Sequence, residues 1–293
     1  MKKVISVLLS ISVLSTLSHA ASFQGLGHID GRPIYSIANA VSDDGSVVVG
    51  HSGDWSGSGS SREAFRWTES QGMIGLGDLP GGHFLSISHC VSGDGNVVGG
   101  QGQSIQATND NPREGFRWTE STGMIGTGYT TDQTVVTGAS FDGAAMVGWD
   151  YDDNYKFRAF RWTNFSGGVT FIIQDAAAMA VSDDGNIIAG VKNFQSSQRK
   201  AFRWSQSSGV VLLGDLAGGG LQSSSNNVSK DGSIVIGWGE SELGREAFRW
   251  TEASGMVGLG DLEGGDFSSS AWDVSSNGSV IVGEGATALG SEA

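Results

Sequence analysis

EAFRWTEASGMVGLGDLEGG, residues 246–265, is the stretch that decides the fold, because close variants of it recur along the chain. Its Phe-Arg-Trp element ends at Trp67, Trp118, Trp162, Trp204 and Trp250, so successive copies lie 51, 44, 42 and 46 residues apart. Self-similarity at a period of about 20–50 residues indicates a repeat architecture, in which each unit buries its apolar face against the next unit.

Each unit carries two more landmarks. A segment such as GMIGLGDL, residues 72–79, follows the Phe-Arg-Trp element. A Val-Ser-x-Asp-Gly phrase then leads into a short apolar run, as in VSDDGSVVVG at residues 41–50. This phrase has six copies, whereas the Phe-Arg-Trp element has five. The sixth copy, VSSNGSVIVG at residues 274–283, has Asn277 where the others have Asp.

The unit is predicted to contain four short strands. In AFRWT the residues alternate, with Ala64, Arg66 and Thr68 on one side and Phe65 and Trp67 on the other, which is the period of a strand. Asp-Gly between apolar runs predicts a type I′ hairpin with positive φ at both central positions. No segment has a helical period of helical length. The sequence therefore predicts an all-β protein.

Four antiparallel strands every 40 to 50 residues are typical of a propeller blade. We expect an all-β, β-propeller-like array of about six four-stranded repeats, one of which lacks its AFRW strand. The alternative is a β-solenoid, which would leave the antiparallel hairpins unexplained. The single domain is residues 21–293, with units at about 21–62, 63–113, 114–157, 158–199, 200–245 and 246–293. The predicted inter-blade residues are Phe65, Trp67, Phe116, Trp118, Phe160, Trp162, Phe202, Trp204, Phe248 and Trp250.

Residues 1–20 have the features of a signal peptide. Lys2 and Lys3 precede an apolar stretch that ends near Leu17, and Ser18-His19-Ala20 offers small residues for cleavage. The stretch is shorter than the roughly 20 residues that a membrane span needs. We therefore predict export to the cell surface or the extracellular medium, with the periplasm as the alternative, and no transmembrane span in the mature chain.

Charge and cysteine content exclude some classes of partner and bond. The chain has 17 Lys and Arg against 31 Asp and Glu, a formal net charge of −14. Nucleic acid and anionic lipid require a positive surface, so neither is an expected partner. Cys90 is the single cysteine, so no intrachain disulfide forms, and we expect it to be a small buried apolar residue.

Insertions that interrupt the repeat are the expected place for a binding site, because they map to loops. Three insertions stand out. GDWSGSGSSR, residues 53–62, is a glycine-serine loop, and QGQSIQATNDNPR, residues 101–113, is polar. WDYDDNYKF, residues 149–157, is the densest cluster of aromatic residues and carboxylates. Aromatic rings there could stack on a sugar or a peptide, and carboxylates could hold a cation such as calcium. The candidate ligand-binding residues are Trp55, Trp149, Asp150, Tyr151, Asp152, Asp153 and Tyr155.

No residue set forms a catalytic or metal signature. The five histidines have no metal-binding spacing, and no cofactor is predicted. A lone Asp before each Gly, such as Asp44, is what a turn requires, and a calcium loop would need several oxygen ligands at alternating positions. The recurring arginines, such as Arg66, are expected to pair with nearby acids such as Glu63 or Asp78.

The phrase AFRWTxxxGMxxLGxLxGGxxSxAxxVSxDGxxVVG resembles the HAF repeat of bacterial secreted and surface proteins. Residues 63–100 and 246–283 follow it almost throughout, whereas the third and fourth units depart from its LGDLxGG segment. The resemblance implies a propeller-like extracellular module, in some proteins upstream of an autotransporter barrel, and it implies no catalytic residues.

The expected function is that of an exported, non-catalytic binding or surface-display module with a glycan or protein ligand. One alternative is a polysaccharide hydrolase or lyase with its site in the propeller channel. A carboxylate cluster or a Tyr-His-Arg set at the channel mouth would favour that enzyme. The other alternative is a truncated autotransporter passenger. The sequence leaves the oligomeric state open.

Overall fold

In the computed structural model the described residues are 24–31, 35–53, 62–104, 113–128, 133–152, 154–163 and 168–293, and they form β-strands and turns. The predicted signal peptide lies outside them, as do Trp55 and Asp153. Within these ranges, no helix has the length and apolar character that a membrane crossing would need.

The strands form sequential antiparallel sheets, which we call blades 1 to 6. Blade 1 consists of β1 (Ser36–Val41), β2 (Val47–Ser52), β3 (Glu63–Thr68) and β4 (Gly72–Gly75). Blade 2 consists of β5 (Gly81–Val91), β6 (Val98–Ser104), β7 (Arg113–Thr119) and β8 (Gly123–Gly126). Blade 3 consists of β9 (Thr134–Ala139), β10 (Ala145–Tyr151), β11 (Phe157–Thr163) and β12 (Gly168–Gln174). Blade 4 consists of β13 (Ala176–Val181), β14 (Ile187–Lys192), β15 (Lys200–Ser205) and β16 (Gly209–Leu212).

Blade 5 consists of β17 (Ser223–Val228), β18 (Ile234–Ser241), β19 (Gly244–Thr251) and β20 (Gly255–Gly258). Blade 6 has three described strands, β21 (Gly264–Val274), β22 (Ile281–Thr287) and β23 (Gly290–Glu292). A single parallel bridge between Arg245 and Ser268 links these two blades.

The first strand of each blade packs against the first strand of the next, and all six line one central cavity. This arrangement confirms the prediction of an all-β, propeller-like array. The blades are offset from the sequence units, because a blade begins at the Val-Ser strand and the Phe-Arg-Trp element forms its third strand.

The Asp-Gly hairpins close differently from the prediction. In blade 1 the amide of Ser42 donates to the carbonyl of Val47, so residues 43–46 form a four-residue loop. Within this loop the amide of Gly45 donates to the carbonyl of Ser42. Gly45 has φ of 74°, and Asp44 is not among the residues with positive φ. The type I′ prediction is therefore wrong. The reason is that the Asp44 carboxylate holds the turn, accepting from the Ser46 amide at 2.9 Å and the Ser42 hydroxyl at 2.7 Å.

The same bonds recur in every blade, with Asn277 replacing the carboxylate in the sixth. Successive turns are also joined to one another by main-chain bonds. In each of them an amide of one turn donates to a carbonyl of the next turn at 2.9–3.0 Å. The pairs, donor first, are Asp43 and Gly93, Asp94 and Phe141, Phe141 and Asp183, and Asp183 and Lys230. An ion pair between Asp43 and Lys230 spans the same end of the array.

Phenylalanines of the third strands form the core between blades. Phe65, Phe116, Phe160, Phe202 and Phe248 are all fully buried. Phe116 of blade 2 packs with Val49, Ala64 and Leu76 of blade 1, and Trp118 lies against the same cluster at partial burial. The corresponding clusters contain Phe160 with Trp162, Phe202 with Trp204, and Phe248 with Trp250. Each sheet thus buries its apolar face against its neighbour, as the repeat requires.

Two of the recurring arginines, Arg161 and Arg203, contact the next blade differently from the expectation. Nε of Arg161 donates to the carbonyl of Gly185 at 3.0 Å, and Nε of Arg203 donates to that of Gly232 at 3.3 Å. The acids proposed as partners hold backbone amides instead, since Glu63 accepts from Gly77 and Asp78 accepts from Leu85. Both arginines therefore cap the neighbouring Asp-Gly turn.

Replacing Phe116 by Ala should destabilise the protein by about 3–5 kcal/mol, because it leaves a cavity between blades 1 and 2. Denaturant unfolding followed by tryptophan fluorescence measures this change. Ile125→Ala in the same blade is the matched control, since Ile125 is half exposed and should change stability by less than about 1 kcal/mol. Equal effects of the two substitutions would contradict the role of Phe116.

Candidate functional site

Two cavities that share part of their lining lie along the axis of the array. A cavity of about 740 Å³ is lined by the six first strands and reaches the Asp-Gly turns, and we call its opening the turn mouth. A second cavity of about 400 Å³ lies at the ends that carry the loops between second and third strands, and we call its opening the loop mouth. His89, Thr137 and Met179 line both cavities, so they separate the two mouths.

A β-bulge brings one side chain of every blade to this axis. Each first strand skips one residue in its pairing with the second strand, and a bulge leaves such a residue outside the ladder. The skipped residues differ in the six blades: they are Asn39, His89, Thr137, Met179, Asn226 and Trp272. All six line the larger cavity.

Three of these side chains connect neighbouring blades. Asn39 donates to the carbonyl of Ser88 at 2.7 Å, Thr137 donates to Ala178 at 2.8 Å, and Asn226 donates to Ala271 at 2.7 Å. The remaining three positions supply an imidazole, a thioether and an indole. The frame of the ring is therefore repetitive, whereas the surface of its channel is chemically varied.

A second varied position follows the glycine in each second strand. Its residues are His51, Gln101, Trp149, Val191, Trp238 and Glu284. Gln101 and Trp149 line the cavity at the loop mouth, together with Arg113 and Gln133. Trp149 is thus the member of the predicted loop cluster that reaches the axis.

Basic groups gather at the loop mouth. Burial, followed by the charges of His51 and Arg113, lowers the pKa of His89 to about 4. Burial and then Arg62 lower the pKa of His51. Burial and then Arg113 also lower the pKa of Arg62, and the neighbouring Tyr35 hydroxyl opposes that shift. Burial and the nearby positive charges therefore both oppose protonation of the two imidazoles.

Several nitrogen atoms of this cluster are buried without a hydrogen-bond partner. They are Nδ1 of His51, Nε2 of His89 and Nε of Arg113, considering the residues that the structure describes. Leaving a buried donor or acceptor unsatisfied costs about 1–3 kcal/mol. A ligand group that accepts hydrogen bonds and carries negative charge, such as a carboxylate, would satisfy Arg113 and favour protonation of His89.

The acidic residues predicted to hold a cation have other partners. Asp150 is fully buried and forms a two-point ion pair with Arg158, with Nη2 to Oδ2 at 2.7 Å and Nε to Oδ1 at 3.1 Å. Asp152 accepts hydrogen bonds from the amides of Asn154 and Lys156 and so closes the hairpin. Both carboxylates therefore stabilise the β10–β11 hairpin.

The aromatic residues of the loop pack mainly on one another. The ring of Phe157 lies 4.9 Å from Trp149, 4.6 Å from Tyr151 and 4.9 Å from Phe194, measured between centroids. Tyr155 is 68% exposed at the hairpin tip with φ of 58°. The structure therefore brings Trp149 to the cavity, uses Tyr151 to support it, and leaves Tyr155 apart.

The Asp-Gly turns use their oxygens within the turn. The Ser46 amide and the Ser42 hydroxyl lower the pKa of Asp44 to about 2, so this carboxylate is ionised at neutral pH. Among the described residues, no three His, Cys, Asp or Glu side chains lie together in a way that could hold a metal ion. Burial raises the pKa of the Cys90 thiol to about 12, which suits a small core residue.

The channel residues His89, Met179, Arg113 and Trp272 were not among the sequence-based candidates. Their signal was nevertheless present in the repeat, because His89 and Met179 occupy a variable position two residues before the Val of the Val-Ser-x-Asp-Gly phrase. The sequence-based candidates were chosen from insertions in loops. The bulge positions that line the channel lie inside the regular units.

No protein-family model matches this sequence, and no curated protein sequence matches it. Solved structures share the fold. A putative TolB from Agrobacterium tumefaciens has 15% identity and a TM-score of 0.53, over 76% of this chain and 80% of its own. The structure of oligogalacturonate lyase in complex with manganese has 14% identity and a TM-score of 0.55, and the match covers 85% of this chain and 70% of the lyase chain. Prolyl oligopeptidase B from Galerina marginata has 12% identity and a TM-score of 0.53, and the match covers 83% of this chain and 38% of the peptidase chain.

Histidine NMR should place the pKa of His89 at about 4 in the free protein. Arg113→Gln should raise that pKa, because it removes one of the positive charges that oppose protonation. Lys156→Gln, an equal change of charge on an exposed side chain, is the control and should leave it unchanged. A His89 pKa that is the same in the wild type and in Arg113→Gln would contradict the electrostatic contact.

Proposed function

We propose that this chain is an exported, non-catalytic binding module, of the kind that its resemblance to HAF repeats implies, and that it binds an acidic glycan at the loop mouth. The observation that carries the proposal is the meeting of His89, Arg113 and Trp149 in one cavity of about 400 Å³. Nε2 of His89 and Nε of Arg113, which are buried and have no hydrogen-bond partner among the described residues, supply the polar half of the site.

A uronate residue matches both halves of this cavity. Its carboxylate would accept hydrogen bonds from Arg113 and protonated His89, and bonds to charged groups contribute about 1.5–3 kcal/mol each. Its ring would pack against Trp149, and its hydroxyls would face Gln101, Gln133 and Thr137. Since the chain as a whole carries a charge of −14, recognition of an anion depends on this local cluster and not on long-range attraction.

Purified residues 21–293 should bind uronate-containing oligosaccharides on a glycan array and discriminate against their neutral hexose counterparts. Arg113→Gln and Trp149→Ala should each lower the affinity by about tenfold or more in calorimetry, because each removes one half of the site. Phe141→Ala is the matched control, since this exposed ring lies in an Asp-Gly turn at the opposite end.

Two results would contradict the proposal. One is equal binding of neutral and acidic sugars by a folded protein. The other is binding of acidic peptides together with no binding of uronates, which would assign the site to a protein ligand.

The second candidate function is a polysaccharide lyase at the same site. The observation that favours it is that Tyr35 interacts with Arg62 beside His51, His89 and Arg113, which makes a Tyr-His-Arg set. In a β-elimination an arginine would neutralise the uronate carboxylate, and a neutral imidazole would remove the proton from the carbon next to it. The electron pair would form a carbon–carbon double bond as the neighbouring carbon–oxygen glycosidic bond breaks, and the tyrosine hydroxyl would give a proton to the leaving oxygen. One structure with the same fold is that of an oligogalacturonate lyase.

Ultraviolet absorbance distinguishes the two functions, because elimination produces an unsaturated uronate. The binding proposal expects uronate affinity without any absorbing product over hours. Appearance of the product in the wild type, together with its loss in His89→Asn and in Arg113→Gln, would establish the lyase instead.

A further inference from the structure

Four blades have an arginine at the same place, at or just before the start of the third strand. It lies three residues before the buried phenylalanine, at Arg62, Arg113, Arg199 and Arg245, and blade 3 has Phe157 there. Arg113 lines the cavity at the loop mouth, so the repeat places the other three arginines at the same end of the array. The first two belong to the basic cluster described above, whereas Arg199 and Arg245 lie in blades 4 and 5.

Arg199 and Arg245 share one aromatic side chain. The guanidinium carbon Cζ of Arg245 lies 4.1 Å from the ring centroid of Trp238, and that of Arg199 lies 5.5 Å from it. Trp238 follows the glycine of the second strand in blade 5, which is the position of Trp149 in blade 3, and the two have equivalent places in the strand pairing. Since Trp149 lines the cavity at the loop mouth, the fold turns Trp238 toward the same mouth from two blades further along.

The protein does not neutralise this pair of arginines. Among the described residues neither forms an ion pair, and Nε of each is buried with no hydrogen-bond partner. Burial lowers the pKa of Arg245, Glu284 opposes this shift and Arg199 adds to it, so the two positive charges are close enough to repel each other. An indole attracts a cation but offers its N–H groups no acceptor oxygen. The pair therefore keeps donors for an acceptor from outside the protein.

The acids on the strands beside Arg245 have structural partners. Glu240 lies opposite it in the pairing of β18 with β19 and accepts a hydrogen bond from Nε2 of Gln222 at 2.9 Å. Glu246, which follows it in the chain, accepts from the amide of Gly260 at 2.9 Å. These carboxylates stabilise the blade, so the anion that matches the arginine pair has to come from a ligand.

We propose that Arg199, Arg245 and Trp238 form a second subsite at the loop mouth, which binds the carboxylate of another sugar unit of the same acidic glycan. The inference rests on the function proposed above and extends its ligand from one uronate to an oligouronate. A guanidinium stacked on an indole keeps its N–H groups in its own plane, where a carboxylate can accept two of them. Trp238 is the positioning residue, because it holds both guanidiniums. Once one unit is bound, the next is held near the second subsite at high effective concentration.

Calorimetry of the mature protein with galacturonate and with its oligomers of increasing length tests the second subsite. Affinity should rise by about tenfold or more once an oligomer reaches both subsites, because the second contact adds charge-assisted hydrogen bonds to the first. Arg245→Gln should remove this gain and leave the affinity for galacturonate itself unchanged. Arg249→Gln is the matched control, since it removes the same charge from the same strand at a position that lines a separate cavity, and it should keep the gain.

Substitution of Trp238 separates positioning from structural damage. Trp238→Leu should lower the affinity for the oligomer by about tenfold, whereas Trp238→Phe keeps an aromatic surface for the guanidiniums and should retain most of that affinity. Neither change should alter the binding of galacturonate itself. Circular dichroism shows whether each variant is folded.

The outcomes separate this inference from the function on which it rests. Equal affinity for galacturonate and all of its oligomers, or a full gain in folded Arg245→Gln, would overturn the second subsite and leave the cavity at the loop mouth as the binding site. Oligomer binding that survives in Arg113→Gln and is lost in Arg245→Gln would support the arginine pair and contradict the role of that cavity. A folded wild type that binds neither galacturonate nor its oligomers would overturn both.

Discussion

Burial of one phenylalanine between neighbouring sheets is the constraint on which the rest of this structure depends. A four-stranded antiparallel sheet cannot bury both of its faces alone, so each blade requires a neighbour. Phe116, Phe160, Phe202 and Phe248 meet this requirement at four interfaces, each packed on small residues such as Ala64 or Ala201 of the preceding blade. Among the described residues, the cluster between blades 5 and 6 contains no phenylalanine, and Leu259 and Leu262 beside it are 46% and 44% exposed.

Much of this arrangement followed from the repeat. The all-β class, the array of about six units, the four-strand pattern and a strand at the Phe-Arg-Trp element were predicted, because period and alternation are local properties of a sequence. The place of that strand as the third of its blade was not predicted. The turn type was not, because it depends on the Asp44 carboxylate bonding to Ser42 and Ser46 in place of a left-handed Asp. Asp150 was predicted to be a ligand-binding residue, and its pairing with Arg158 across β10 and β11 could be seen only in the structure.

The site was harder to predict because its residues are brought together by the bulges. A one-residue slip in each first strand turns one side chain out of the ladder, and its position is visible only once the strand pairing is known. His89 and Arg113 are 24 residues apart and on different strands, and their chemistry depends on shared burial. The residues that recur in every blade thus form the frame of the array, and the residues that differ between blades determine the chemistry of the channel.

The chain of main-chain hydrogen bonds that joins successive Asp-Gly turns links each turn only to its immediate neighbours. Apart from the ion pair between Asp43 and Lys230, which joins blades 1 and 5, these turn contacts lie between neighbouring blades. In a repeat protein the stability is approximately a sum over units and the interfaces between neighbours. Inserting or deleting one unit in the gene would leave each remaining joint chemically the same. Blade number is therefore open to change by recombination, and each new unit would bring one new bulge residue to the channel, so that the size and the chemistry of the binding surface would evolve in the same step.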